Sequence, residues 1–113
     1  MRAYSPSRLG YAVRAIALAA TLLPGPVLAA EVIRVEMKDM AFSPAAFTAQ
    51  VGDTVEWVNN DFVAHSATAR NGDWDVNVPA HQTRRLLIQR PGTVAYYCRF
   101  HPTMKGEAQI GPP

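Results

Sequence analysis

PGTVAYYCRFHPTMKGEAQI, Pro91–Ile110, contains two short runs that alternate in polarity around a loop that resists helical geometry. In TVAYYC, strand parity puts Val94, Tyr96 and Cys98 on one face. In KGEAQI the same parity groups Gly106, Ala108 and Ile110. Pro102 cannot donate to a ladder, and it biases His101 away from the helical region. The stretch therefore reads as two strands joined by a tight loop, Cys98 to Met104, with the thiol entering the interior at a strand's end. A free cysteine alone would most simply be a buried, inert side chain. Here an imidazole and a thioether follow it at equal steps of three residues, and that joint spacing suits a loop curled around a point.

Moving outward, the pattern stays β. Val32–Met37 and Thr54–Asn59 alternate, with Val55 and Trp57 on one face, and Ala46–Val51 ends at Gly52-Asp53. Phe62–Thr68 follows the Asn59-Asn60-Asp61 turn and would place Val63 and His65 on a common face. Arg84–Gln89 ends at Pro91-Gly92, and a short strand is expected near Trp74–Val78. Short alternating runs divided by Gly, Pro, Asn and Asp predict an all-β sandwich or barrel. Trp57 reads as core and Trp74 as a loop residue. His81, in a turn, reads as solvated, and Met37 and Met40 as packing residues.

The first residues stand apart. Arg2, Arg8 and Arg14 precede the apolar run Ala15–Leu23, and Val27 and Ala29 occupy the −3 and −1 positions of a small-residue cleavage site. This pattern predicts a secretory signal over residues 1–29 and a domain over 30–113. The apolar run is too short to span a bilayer, so no membrane span is expected after cleavage. No arginine pair precedes it, which favours general secretion over the twin-arginine route. Cleavage removes three of eleven basic residues and none of the nine acidic ones, so the net charge falls from +2 to −1 (8 − 9). No basic run remains that would suit nucleic acid. A domain this small is marginal without a staple, and the single cysteine offers no internal disulfide.

The loop's donors suggest a metal instead. His65 supplies a second imidazole from a distant strand. Thiolate and thioether are soft ligands and, with imidazole, favour copper. Zinc is the main rival, although structural zinc prefers four Cys/His ligands. Two histidines and a thiolate in a trigonal array, with a weak axial methionine, describe a blue-copper centre.

At this point the chain resembles the cupredoxins, the small blue-copper proteins, and most closely their amicyanin and plastocyanin branch. MAFSPAAFTAQVGDTVEWVNND, Met40–Asp61, is similar to the family's early strands, FVAHSAT to its first histidine segment, and Gly92–Gly106 to its G-T-x-x-Y-x-C-x-x-H-P-x-M-x-G ending. The short C-x-x-H-x-x-M loop is the amicyanin version. The resemblance implies a Greek-key sandwich or barrel of about seven to eight strands. It implies one type 1 copper ion held by His65, Cys98, His101 and Met104. It further implies a periplasmic, monomeric, non-enzymatic one-electron carrier working with a c-type cytochrome or a periplasmic dehydrogenase or reductase. The alternative is a periplasmic protein that delivers or sequesters copper. Phe100, Pro102 and Met40 would form a docking patch around His101, with Arg99 and Lys105 free to orient a partner. One departure stands out: the family commonly has asparagine after the first histidine, and here Ser66 follows His65. Serine can still hydrogen-bond but reaches less far, so a looser outer shell with some effect on the potential is expected, while the Ser66 amide is still expected to donate to the Cys98 sulfur as in family members.

Overall fold

The computed structural model describes residues 2–4, 10, 12–21 and 29–113. The cleavage-site residue Val27 lies outside the described residues. Among the described residues nine strands follow one another: β1 (Val32–Lys38), β2 (Ala41–Ser43), β3 (Ala46–Gln50), β4 (Thr54–Asn59), β5 (His65–Ala69), β6 (Asp75–Val78), β7 (Thr83–Leu87), β8 (Gly92–Tyr97) and β9 (Lys105–Gly111). They form two sheets, ordered β2-β1-β4-β7 and β3-β9-β8-β5-β6. β1–β4 and β3–β9 pair in parallel, while the other pairs are antiparallel. The architecture is the all-β sandwich expected, with one strand more than the upper count. The extra strand is β2, three residues long, too short for alternation to register.

Each sheet turns one face inward, so the core reads directly from period-2 sequence. Val35 and Met37, Val55 and Trp57, Phe47 and Ala49, Val94 and Tyr96, and Ala108 and Ile110 are all buried there. Tyr96 is the hub. Its ring centroid lies 4.9 Å from Phe42 and 5.3 Å from Trp57, both edge-on. In the β8–β9 register Tyr96 faces Gly106. A Cβ at Gly106 would stand 2.2 Å from Tyr96 Cζ, so the motif's glycine is the space that the phenol ring occupies. Burial pushes the Tyr96 hydroxyl well above the ordinary phenol range, and among the described residues that hydroxyl has no hydrogen-bond partner.

Two local expectations change. β5 begins at His65 rather than Phe62, and the three preceding residues form a bulging loop. Val63 is therefore 46 % exposed while His65 is buried, because strand parity does not extend across the loop. Trp74 does sit between strands, yet only 8 % of it is exposed. The β5–β6 connection folds back, with the Ala69 amide donating to the Trp74 carbonyl at 2.9 Å, and lowers the indole onto the core.

The two ends of the sandwich differ. At one, Asp53 is buried and its carboxylate accepts the Glu31 amide at 2.9 Å and the Gln50 amide at 2.8 Å. These bonds close the start of β1 onto the β3–β4 turn. At the other end the β1–β2, β4–β5, β6–β7 and β8–β9 connections gather.

Candidate metal centre

The gathering starts with Asn59, the last residue of β4. It is buried, and its side-chain amide donates to the carbonyls of Val63 at 2.9 Å and Val78 at 3.0 Å. Its side-chain oxygen accepts the Asp61 amide at 2.9 Å. One side chain thus shapes the loop that delivers His65. Asp61 then anchors the neighbouring turn: its carboxylate accepts the Asp39 amide at 2.8 Å and the Met40 amide at 3.2 Å. Asp39 and Met40 have positive φ, 52° and 61°, which the tight β1–β2 turn requires.

The same Asp61 carboxylate lies 2.6 Å from His65 Nε2. Desolvation pushes its pKa up, but the His65 bond, the two amide bonds and the His65 charge outweigh this, and the net shift is downward. An ionised carboxylate only accepts, so His65 donates from Nε2, and in the neutral ring this leaves Nδ1 as the lone pair that a metal can take. That Nδ1 is 3.7 Å from Cys98 Sγ.

Cys98 follows β8 directly and is buried, as its shared parity with Val94 and Tyr96 predicts. His101 Nδ1 approaches the same sulfur, also at 3.7 Å. The ligating atoms of His65, Cys98 and His101 all lie within 4.8 Å of one another. The loop that holds two of them is closed by its own backbone: the Cys98 amide donates to the Met104 carbonyl at 3.0 Å, and the Met104 amide to the His101 carbonyl at 2.8 Å. Met104 is buried at the loop's end. His101 is half-buried, and its ring lies edge-on to His65 with centroids 5.1 Å apart.

The spacing can be tested against a bound ion. Bonds of about 2.0 Å to nitrogen and about 2.3 Å to sulfur, spread at trigonal angles, put nitrogen and sulfur about 3.7 Å apart. Both observed nitrogen–sulfur separations match that figure, so the spacing of each histidine from the cysteine suits a shared first-row metal ion. With one soft thiolate and two imidazoles, the donor chemistry favours copper.

Ser66 makes the expected bond to the cysteine sulfur and adds a second one through its hydroxyl. Its amide donates to Cys98 Sγ at 3.3 Å, and its hydroxyl accepts the Arg99 amide at 2.8 Å. The two loops are therefore tied through both the amide and the hydroxyl of Ser66. Thr68 and Asp75 prolong this contact, at 2.9 Å from Ser66 Oγ to Thr68 Oγ1 and 2.8 Å from Thr68 Oγ1 to Asp75 Oδ1. The Thr68 bond, partly opposed by desolvation and reinforced by Arg99, holds the Asp75 carboxyl below the usual range.

Arg99, expected to help orient an acidic partner, has its Nε donating to Asp75 at 3.0 Å and its Nη2 to Asn77. Met40 does not pack as expected and is 44 % exposed, whereas Met37 lies in the core. His81 is exposed, outside the cluster, with its ring edge-on to Phe62 at 4.9 Å. Asn59, Asp61, Thr68 and Asp75 were not singled out from sequence. Only Asp61 left a trace there, as a carboxylate four residues before a candidate ligand.

Residues 12–108 match the family described as the cupredoxin-like domain. Over 82 residues the chain is 29 % identical to amicyanin-alpha of Methylorubrum extorquens, covering 67 % of this chain and 69 % of that protein. It is 30 % identical to amicyanin of Paracoccus denitrificans over 95 residues, 75 % of this chain and 72 % of that one. The Cu(I) form of an amicyanin variant superposes with a TM-score of 0.62 at 27 % identity, covering 74 % of this chain and 85 % of that chain. A copper-containing nitrite reductase (NirK) from Thermus scotoductus gives 0.64 at 27 % identity, covering 80 % of this chain but 25 % of that enzyme. The chain belongs to the cupredoxin-like family, and within it is an amicyanin-like protein that takes one copper ion.

Proposed function

We propose that the protein is a periplasmic one-electron carrier whose type 1 copper is held by His65, Cys98, His101 and Met104. The observation that carries this reading is the convergence of an imidazole, a thiolate and a second imidazole on one point, at 3.7 Å across each nitrogen–sulfur pair. Bound copper supplies a Cu(I)/Cu(II) couple. The protein's part is to keep the donors fixed during the redox change. Asp61 orients His65, the Ser66 amide holds the Cys98 sulfur, and the loop's own backbone bonds hold His101 and Met104. Ligands that do not move need little reorganisation, which favours rapid electron exchange.

Four protein ligands leave no open position for a substrate, which supports a carrier rather than an enzyme. Next to the half-buried His101 in the chain, Phe100 is 51 % exposed and Pro102 is exposed. A small apolar patch of this kind suits brief redox encounters, here with a c-type cytochrome or a periplasmic dehydrogenase or reductase. The carrier would act as a monomer, released by removal of residues 1–29. Cleavage after Ala29 would retain Glu31, whose amide bonds Asp53.

The test is to load the domain with Cu(II) and record its visible spectrum. An intense thiolate-to-copper band that disappears on reduction and in Cys98→Ser is expected. A colourless protein that prefers zinc would sink the proposal. Rapid electron exchange with a cytochrome, rather than metal transfer to an apo-acceptor, separates the carrier from a copper-delivery protein.

A further inference from the structure

The hydrogen bonds around Ser66 form a closed circuit. The Arg99 amide meets Ser66 Oγ at 2.8 Å, Ser66 Oγ meets Thr68 Oγ1 at 2.9 Å, and Thr68 Oγ1 meets Asp75 Oδ1 at 2.8 Å. Arg99 Nε returns to Asp75 Oδ1 at 3.0 Å. The circuit starts and ends on Arg99, the residue immediately after Cys98.

The direction of each bond follows from donor counts. A carboxylate only accepts, so Thr68 must give its single proton to Asp75. Thr68 Oγ1 then has only lone pairs for Ser66, so Ser66 must give its proton to Thr68. Ser66 Oγ is left with lone pairs alone, and these face the Arg99 amide. The chain of donors therefore locks the Ser66 rotor in the one orientation that receives that amide. Without Thr68 and Asp75, the short hydroxyl would be free to turn. Ser66 also gives its own amide to Cys98 Sγ at 3.3 Å, so one buried residue grips the cysteine at its sulfur and at the following peptide.

We propose that Thr68 and Asp75 are positioning residues for the copper thiolate, acting through Ser66 and the Arg99 amide. The inference rests on the reading of Cys98 as a copper ligand. An N–H bond to a thiolate draws charge from the sulfur, which favours Cu(I) over Cu(II). Loosening the circuit should therefore lower the reduction potential and shift the thiolate-to-copper band. It should also speed copper loss about tenfold, the lower end of the effect usual for partners of metal ligands.

The decisive variant is Thr68→Val, which keeps the side chain's shape and the β-branch but breaks both hydroxyl bonds. The copper-loaded variant should show the shifted band, the lower potential and faster release to a chelator. Its metal-free form should exchange the Arg99 amide hydrogen faster than wild type. Thr68→Ser, which restores the hydroxyl, should recover all four readouts. Asp75→Ala, at an exposed position where truncation is tolerated, should shift the band and the potential in the same direction even if Thr68→Val folds poorly. A wild-type protein with the band, and variants identical to it in band, potential, copper release and amide exchange, would overturn this inference alone. A wild-type protein with no band would overturn the ligand assignment and this inference with it.

Discussion

Asp61 Oδ2 and His65 Nε2 lie 2.6 Å apart, and this contact joins the metal centre to the tight β1–β2 turn. The carboxylate that orients the imidazole is the one that accepts the amides of Asp39 and Met40. Asp61→Ala should therefore have two effects. Copper affinity should fall about 10–100-fold, as is usual when the partner of a metal ligand is removed. The β1–β2 turn should also lose amide protection. Competition titration and hydrogen exchange would measure the two, and unchanged copper affinity would remove Asp61 from the site.

Gly106→Ala should destabilise the fold by about 1–3 kcal/mol, the usual cost of overpacking a filled core. The new Cβ would meet Tyr96 Cζ at 2.2 Å and Cε2 at 2.5 Å. Because the ring carbons themselves obstruct it, adding Tyr96→Phe should not rescue the variant. Denaturant midpoints of the single and double variants give the answer.

Tyr96→Phe alone should be neutral or slightly stabilising. Its hydroxyl is buried without a partner, so removal relieves an unmet desolvation cost rather than breaking a bond. A loss of more than about 1 kcal/mol would mean that the hydroxyl makes a bond in solution, since a typical buried hydrogen bond contributes about that much.

Stability should fall in acid, and Asp53 should be part of the reason. The Glu31 amide bond, then the Gln50 amide bond, lower its pKa against a smaller opposing push from desolvation. A folded pKa below the unfolded value of about 3.9 means that the contribution is fully present above that value. It is then lost as pH falls through the lower folded value. Asp53→Asn should weaken the fold at neutral pH and flatten the decline below about pH 4. Asp61 and Asp75 shift in the same direction, so part of the decline should persist.

If electrons leave by way of His101, Phe100→Ser should slow second-order exchange with a c-type cytochrome about fivefold or more, the effect of losing an interface anchor of at least 1 kcal/mol. The visible spectrum should stay unchanged. Stopped-flow rates that match wild type would place docking elsewhere on the surface.

The sequence by itself determined most of the strands and the cysteine loop, because both depend on local rules. Period-2 alternation assigns Val55, Trp57, Val94, Tyr96 and Cys98 to the interior, and a proline after His101 excludes a helix from the loop. The spacing of Cys98, His101 and Met104 is likewise local. Only the tertiary structure decided how His65 meets that loop, because β5 and β8 are remote in sequence and adjacent in the sheet. It also overturned one inference made by extrapolation. Parity carried back from His65 failed at Val63, because the Asn59 and Asp61 bonds break the strand there. The Ser66 amide bond to Cys98 was foreseeable, but the hydroxyl's partners Thr68, Asp75 and the Arg99 amide were not. Side-chain hydrogen bonds depend on where separate strands bring their edges together, and no periodicity in the chain records that.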